Sequence, residues 1–434
     1  MEELKFIDLF AGIGGFRLGF ERACKKNGVN PRCVFSSEIK DHALKVYKEN
    51  FGNHIVHGDI TEVDEKDIPD FDILLGGFPC QAFSSAGKRH GFLDTRGTLF
   101  FHIERILREK RPQAFILENV EGLLNHDKID KKKKFGRTFE TILGILDELG
   151  YVVSYKVLNS KDFNLAQDRK RIVIIGTKDK KVDLEDFKSH TRTLGEDLEK
   201  GLKVMDTNLT NLLLSHFSIE KLYGKAVKDK RGGSNNIHSW DIGLKGEVSD
   251  DQKEILEKLL RERRKKIWAE KKGIPWMDGM PLKLSEIKTF HDHPNLKELL
   301  DDLVDKGYIA YESPKNLFEK EINGNLIKVR DYDSTKEKGY NIITGKLSFE
   351  ISKFLDPNSI TPTLVATDLS KLAVPDSGKL RRLSLREGMR LFGFPEDFKM
   401  DVSRTKGYDL LGNTIAVNMV EAVSDKLIKT LLSE

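Results

Sequence analysis

The sequence predicts an α/β protein, a Rossmann-like sheet with helices on both faces joined to a smaller mixed domain. Three observations carry this reading. The chain opens with an apolar run, 4–10, that passes through the glycine turn Ala11-Gly12-Ile13-Gly14-Gly15 into a helix with Phe16, Phe20 and Cys24 on one face. Further apolar runs alternate with helical periods, and their carboxyl ends present Glu38, Asp59 and Cys80 at the edge where open α/β sheets place ligands. From about Thr177 the alternation lapses and charge density rises, which marks a change of domain.

Composition bounds the function. A chain of 434 residues can bury a large core. Charged residues make up 33%, yet the net charge is only +4, so any charge that binds a polyanion is local rather than global. Cys24, Cys33 and Cys80 are too few and too scattered for a disulfide framework or a zinc site, and they point to a reducing compartment. The first residues lack the basic and apolar regions of a signal peptide, and no run nears the roughly 18 apolar residues of a membrane span. A cytoplasmic protein without membrane contact is the expectation.

Each element follows in order. The first glycine turn lets a ligand approach the backbone, and the helix N-terminus behind it favours anionic groups. Arg17 stands where the dinucleotide fingerprint needs a third glycine, which argues against a nicotinamide dehydrogenase. The second strand, 33–37, ends at Glu38, about 20 residues beyond the turn and placed to accept from a ribose. A helix with Ala43, Val46 and Tyr47 inward leads to a third strand, 54–57, after which Asp59 can accept from an adenine amino group. Phe71-Asp72-Ile73-Leu74-Leu75 reads as a buried strand ending in the turn Gly76-Gly77, which delivers Phe78-Pro79-Cys80-Gln81 to the same edge. A lone cysteine there is as readily a packed thiol as a nucleophile; the series of polar strand ends favours function. A helix at 98–108 turns Leu99, Ile103, Ile106 and Leu107 inward. The strand 114–117 then delivers Glu118, a carboxylate too costly to desolvate for a packing role. A helix at 139–149 closes at Gly150, and 151–157 with 171–176 form two more strands, paired as a hairpin. Between them Gln167-Asp168-Arg169-Lys170-Arg171 is a cationic turn able to hold an anionic backbone.

With these residues in view the chain resembles a prokaryotic DNA (cytosine-5) methyltransferase of the restriction–modification type. Asp8-Leu9-Phe10-Ala11-Gly12-Ile13-Gly14-Gly15 resembles the family's S-adenosylmethionine motif, and Gly77-Phe78-Pro79-Cys80-Gln81 its nucleophile motif. Glu118-Asn119-Val120 and Gln167-Asp168-Arg169-Lys170-Arg171 are similar to two further catalytic motifs. Residues 381–387, Gly393-Phe394-Pro395 and Gly412-Asn413-Thr414 match the last motifs, in the family's order. The pattern departs at Ala86, where the best-known relatives carry a serine that helps hold the flipped site open, so the base-extrusion contacts do not carry over.

The resemblance implies roles. Cys80 would be the thiolate that adds at cytosine C6, and Glu118, its pKa raised by burial, would hold a proton at N3. Arg169 would stabilise charge at O2, with Arg171 supporting Glu118 or the phosphates. The base must leave the duplex to be reached, and the loop 84–94, with Gly87 and Gly91, would close over it. Ser84, Ser85, Lys88, Arg89 and Gln167 are candidate DNA contacts there. For S-adenosylmethionine, Phe10 would lie on the adenine face, with Ala11, Gly12, Ile13 and Gly14 along the backbone. Glu38 would bind the ribose and Asp59 the adenine, Ile39 and Ile60 beside them, and Pro79, Leu99 and Asn413 would complete the pocket. No metal is expected.

The expected domains are 1–178, catalytic and completed by the helix 410–434, and 179–409 for target recognition. In the latter, 225–240 combines cations (Lys228, Lys230, Arg231) with Asn235, Asn236 and His238, side chains able to read base edges. Ile255, Leu256, Leu259, Leu260 and Ile267 mark a helix whose outer face would carry Arg261, Arg263, Arg264, Lys265 and Lys266 toward phosphates, while Trp268 and Trp276 pack. Thr361-Pro362-Thr363-Leu364 resembles a threonine–leucine element of family recognition domains, which makes Thr363 a further DNA candidate. Ser384 with Glu387 signals a capping box opening a helix that stops at Gly393. The helix 415–431 would return to the first domain and bring Asn413 to the cofactor. The expectation is a monomer acting on duplex DNA and functionally linked to a cognate restriction endonuclease. A tRNA cytosine-5 methyltransferase is the alternative, disfavoured by the long stretch 180–360; a catalytically dead homologue is disfavoured because Cys80 and Glu118 are both present.

Overall fold

The structure is a computed structural model that describes residues 3–52, 55–79, 99–130, 132–187, 192–229, 232–275, 279–322, 325–343 and 349–433. The chain divides into two compact units: Met1–Glu199 with Asp356–Ser370 and Leu383–Glu434, and Lys200–Leu355 with Lys371–Arg382.

The first unit is built on β1 (Glu3–Leu9), β2 (Asn30–Ser37), β3 (Val56–His57), β4 (Ile73–Gly77), β5 (Ala114–Val120), β6 (Val152–Asn159) and β7 (Lys170–Thr177). Among the described residues these form one seven-stranded sheet in the order β3-β2-β1-β4-β5-β7-β6. Neighbours pair in parallel except around β7, which runs antiparallel to both β5 and β6. The helices α1 (Gly15–Lys26), α2 (Asp41–Phe51), α3 (Leu99–Lys110) and α4 (Arg137–Glu148) connect the strands.

Strands covered on both faces must be apolar throughout, and side chains alternate between the faces. Phe6, Ile73, Leu75, Ile116 and Val173 therefore join one core, and Ile7, Leu74, Phe115, Leu117 and Ile174 the other. The first core takes Phe16, Phe20 and Cys24 from α1, and Met419, Val420, Val423 and Leu427 from the helix Val417–Leu432. That helix lies close against α1: a Cβ on Gly19 would stand 2.7 Å from Val420 Cβ and 2.8 Å from the Val417 carbonyl. The second core takes Phe100, Ile103, Ile106 and Leu107 from α3, and Phe139, Ile142 and Leu146 from α4.

Two strands run further than their apolar runs suggest. Gly76 and Gly77 belong to β4 rather than to a turn, opposite Leu117 and Glu118. A Cβ at Gly77 would sit 3.4 Å from the Glu118 carboxylate and 3.5 Å from the Phe16 ring, so glycine answers a close approach here. β5 continues through Glu118, which pairs with Gly77 on one side and Val173 on the other. The acid is a strand residue held by two ladders.

The second unit is mixed. Among the described residues its largest sheet has five short strands, and a separate hairpin pairs Lys315–Ile322 with Asn325–Tyr332. One core gathers Leu256, Leu259, Leu300 and Tyr308 around buried Trp240 and Trp268. Another joins Leu213, Leu222, Ile351 and Phe354. Arg381 and Asp376 form an ion pair at 2.8 Å with almost no exposure on either side chain, and Asp376 also accepts from the Gly201 and Leu202 backbone.

The division differs from the expected boundaries at 178/179 and 409/410. Residues 179–199, 356–370 and 383–409 lie in the first unit. The reason is backbone pairing: Thr361 exchanges bonds with the turn before β7, through Thr361 N–H to the Ala166 carbonyl and Asp168 N–H to the Thr361 carbonyl, both at 2.8 Å. The threonine–leucine element is thus part of the first unit. The capping box forms as expected, Ser384 Oγ accepting from Glu387 N–H and Glu387 Oε2 from Ser384 N–H. Its helix, Leu385–Leu391, ends before Gly393, which adopts φ 81°. Among the described residues no helix is long and apolar enough to cross a membrane.

The Gly19 contact yields a stability test. Gly19→Val should wedge α1 from the helix Val417–Leu432 and cost about 1–3 kcal/mol by overpacking. Urea unfolding should show the midpoint lowered; an unchanged midpoint would mean the two helices are not in close contact.

Candidate active site

At the end of β1 the chain turns sharply. Phe10 and Gly12 have φ of 56° and 55°, and Gly14 has 84°. A Cβ on Gly12 would meet nothing within 4 Å, whereas one on Gly14 would strike the Phe51 ring at 2.2 Å. Gly14 therefore serves packing, and Gly12 leaves its backbone open. The turn is held by Glu38 at the end of β2. Its Oε2 accepts from Gly12 N–H at 2.8 Å, and its Oε1 accepts from Ile39 and Lys40 N–H at 2.9 Å each. Ala11 N–H bonds the Ser37 carbonyl at 3.0 Å, and Ala11 and Ile13 are buried.

The other candidate cofactor residues stand at the ends of other elements of this unit. Ile39 is 67% exposed, a large apolar side chain left uncovered beside a half-buried carboxylate. Asp59 is exposed, with Oδ1 accepting from Thr61 N–H, and Ile60 behind it is buried. Arg105 on α3 secures that corner, donating to the Ile60 and Val63 carbonyls at 2.7 Å and pairing with Glu65. Pro79 is exposed and Leu99 half-buried at the start of α3. Asn413, exposed, donates to the carbonyl and Oδ1 of Asp409. Asp409 Oδ2 in turn receives Lys40 Nζ at 2.8 Å and His42 Nε2 at 3.1 Å, a link that no local sequence signal announces. An open glycine backbone, an exposed apolar side chain and carboxylates at successive strand ends fit a nucleoside.

A second feature lies at the ends of β5 and β7. Arg171 Nε meets Glu118 Oε1 at 2.7 Å, with 12% and 14% of the two side chains exposed. Burial pushes the Glu118 carboxyl up; Arg171 and then Arg169 pull it back, and burial prevails. Next to it Asn119, buried, donates Nδ2 to the Phe78 carbonyl at 2.9 Å, fixing the backbone that leads into Pro79. Asn119 carries a positional role that the residue pattern did not single out.

The cationic turn before β7 differs from its reading as an anion-binding loop. Arg169 is 3% exposed. Its Nη1 donates to the Leu364 carbonyl at 2.9 Å, and its Nη2 to the Gly412 and Thr414 carbonyls at 3.2 and 2.8 Å. Its Nε is buried and finds no partner among the described residues. Burial pulls this guanidinium down to about 9, helped by Arg171 and opposed by Glu118. Buried, and with both Nη atoms committed, Arg169 does not fit the contact with a base oxygen expected of it; Arg171 is the guanidinium at the carboxylate. Gln167 is fully buried, its Nε2 donating to the Leu391 carbonyl and its Oε1 accepting from Leu364 N–H, which does not fit a DNA contact. Thr363 is exposed, but its hydroxyl donates to the Asp168 carbonyl at 2.7 Å.

In the second unit Asn235 is exposed and Asn236 half-buried, its Nδ2 bonded to the Gly232 carbonyl. His238 is buried, bonded to the Lys228 carbonyl and stacked on Trp240, so it does not face bases. The expected outer cationic face is also incomplete, because Arg263 is 1% exposed and bonds Asn341, while Ile267 is 47% exposed. Cys80, Ser84, Ser85, Lys88, Arg89, the loop 84–94 with Ala86, Lys230, Arg231 and Trp276 lie outside the described residues.

Comparison with known proteins adds identity to this geometry. The model of the C-5 cytosine-specific DNA methylase family matches residues 4–429. A Type II methyltransferase of Neisseria lactamica, M.NlaIV, is 54% identical over 431 residues, covering 99% of this chain and 100% of its own. M.BanI of Aneurinibacillus aneurinilyticus is 39% identical over 100% of this chain and 97% of its own. Among solved structures, the S. pombe Dnmt2 methyltransferase shares the fold with a TM-score of 0.54 at 16% identity, covering 99% of this chain and 100% of its own. Two glycine-lined strand ends and a buried carboxylate–guanidinium pair thus sit in a chain that belongs to the C-5 cytosine-specific DNA methylase family.

Proposed function

We propose that the protein transfers a methyl group from S-adenosylmethionine to C5 of a cytosine flipped out of a short specific duplex DNA site. The observation that carries this reading is the Glu118–Arg171 pair at the end of β5, beside the backbone that leads into Pro79-Cys80. The relatives named Type II methyltransferases span the whole chain and support duplex DNA as the substrate. The second unit is the part we assign to target recognition.

Cytosine C5 is too electron-poor to take up a methyl group unaided. The Cys80 thiolate adds to C6, forming an S–C6 bond and moving the ring electrons toward N3, which makes C5 enamine-like. Glu118, whose carboxyl burial raises above its usual range, is the group that donates a proton to N3 and neutralises that charge. Arg171 holds the carboxyl in place and offers a donor for charge at the base's O2. S-adenosylmethionine, when bound, supplies the electrophilic methyl group. Water then takes the C5 proton, the Cys80 thiolate leaves C6 and N3 returns its proton to Glu118, which restores the aromatic ring. Gly12 and the neighbouring backbone, Glu38, Ile39, Asp59 and Asn413 are the residues that would hold the cofactor. Methylation of the site would protect it from a cognate restriction endonuclease.

Duplex DNA carrying 5-fluorocytosine at the target blocks loss of the C5 substituent and leaves the enzyme attached. With S-adenosylmethionine present, the wild-type protein should form a complex stable in detergent, and Cys80→Ser should form none. Attachment to fluorinated tRNA but not to DNA would overturn the DNA reading.

Arg171→Gln should lower kcat on the order of a hundredfold. It should also shift the pH profile. Activity falls as pH rises through the Glu118 pKa, because N3 then loses its donor; Arg171 lowers that pKa, so without it the alkaline limb should move to higher pH. A limb that stays in place or moves down would show that another group sets it.

A further inference from the structure

Arg169 is committed elsewhere than the reacting base, and its partners say where. The carbonyls it grips at Gly412 and Thr414 flank Asn413, and the third, at Leu364, belongs to the strap that pairs with the turn Arg169 itself sits on. These partners come 195, 243 and 245 residues later in the chain. The guanidinium also lies over the Phe392 ring, 5.2 Å from its centroid, so one face and both Nη atoms are used. The gripped stretch is packed from the other side too. A Cβ on Gly412 would stand 2.0 Å from Ala366 N, and one on Gly15 would stand 3.0 Å from Thr414 Oγ1 and 3.2 Å from the Ile415 side chain. Residues 412–415 are thus wedged between the Arg169 fork and the first residue of α1, immediately behind the open glycine turn.

We propose that Arg169 is a positioning residue for cofactor binding, acting through the Gly412–Thr414 carbonyls to hold Asn413 as one wall of the pocket beside Gly12 and Glu38. It is not a catalytic residue. A fork with several fixed donors suits this task, because a lysine ammonium at the same place cannot span carbonyls from two chain segments with planar geometry. The inference rests on the reading of that pocket as the S-adenosylmethionine site.

The test compares Arg169→Lys with the wild-type enzyme and with Arg171→Gln. S-adenosylmethionine binding is measured by calorimetric titration, and kcat and KM on duplex DNA at saturating cofactor. Arg169→Lys should weaken cofactor binding about tenfold or more, with kcat and the KM for DNA within about twofold of wild type. Arg171→Gln should show the reverse split. Asn413→Ala should also weaken binding, and the double variant Arg169→Lys/Asn413→Ala should be no worse than the weaker single, since both act through one wall. Unchanged cofactor affinity with a fall in kcat would overturn the proposal and return Arg169 to the base. Should Arg169→Lys fail to fold, hydrogen exchange on the wild-type protein decides. Added cofactor should protect the amides of 411–415, and their unchanged exchange would overturn the proposal. A wild-type protein that binds no S-adenosylmethionine would instead sink the functional reading itself.

Discussion

A guanidinium taken out of water must have its hydrogen bonds met, and the two Nη atoms of Arg169 meet theirs by collecting carbonyls from the far end of the chain. This requirement organises the first unit. The turn before β7 is a hub on which the strap 361–364, the end of the helix Leu385–Leu391 and the turn 412–414 all converge, with Gln167 bridging the first two. Without that hub the sheet would lack its last helix and the glycine turn would lack the wall behind α1. The buried polar residues of this turn are not ornaments on a finished fold; they decide where its closing segment goes.

The same hairpin that places Arg169 also makes the chemistry possible. Because β7 inserts between β5 and β6, it runs opposite to β5 and lays Arg171 beside Glu118. Two opposing effects then act on one carboxyl. Burial raises its pKa and the guanidinium lowers it, and the net shift is upward. An acid that merely sat at an exposed strand end would be ionised at neutral pH and could donate nothing to a ring nitrogen. The neighbouring Asn119 ties the end of β4 to the end of β5, so the strand that leads into Pro79 and the strand that carries the acid are fixed relative to each other.

Much of the first unit was legible in the sequence because its signals are local. An apolar run followed by glycine or an acid marks a strand end, and the order of such ends announced the sheet, the hairpin and Glu118. Ser384 and Glu387 announced their own helix for the same reason. What was not legible depends on partners far along the chain. Gln167 and Arg169 read as part of a cationic turn facing DNA because nothing nearby shows that they will be buried against residues beyond 360. Arg263 misled in the same way: a run of cations reads as an outer face, yet this one turns inward to Asn341. The unit boundaries escaped because the first unit is completed by two returning segments, and local composition does not record which sheet a segment rejoins.

The most direct test of cytosine-5 transfer is methyl-sensitive sequencing of DNA from cells expressing this chain, beside cells expressing Cys80→Ser. 5-Methylcytosine at one short motif, present with the wild-type protein and absent with the variant, is the expected result, and it would identify reaction, nucleophile and target together. DNA free of 5-methylcytosine in cells that hold folded, cofactor-binding protein would contradict a DNA cytosine-5 activity.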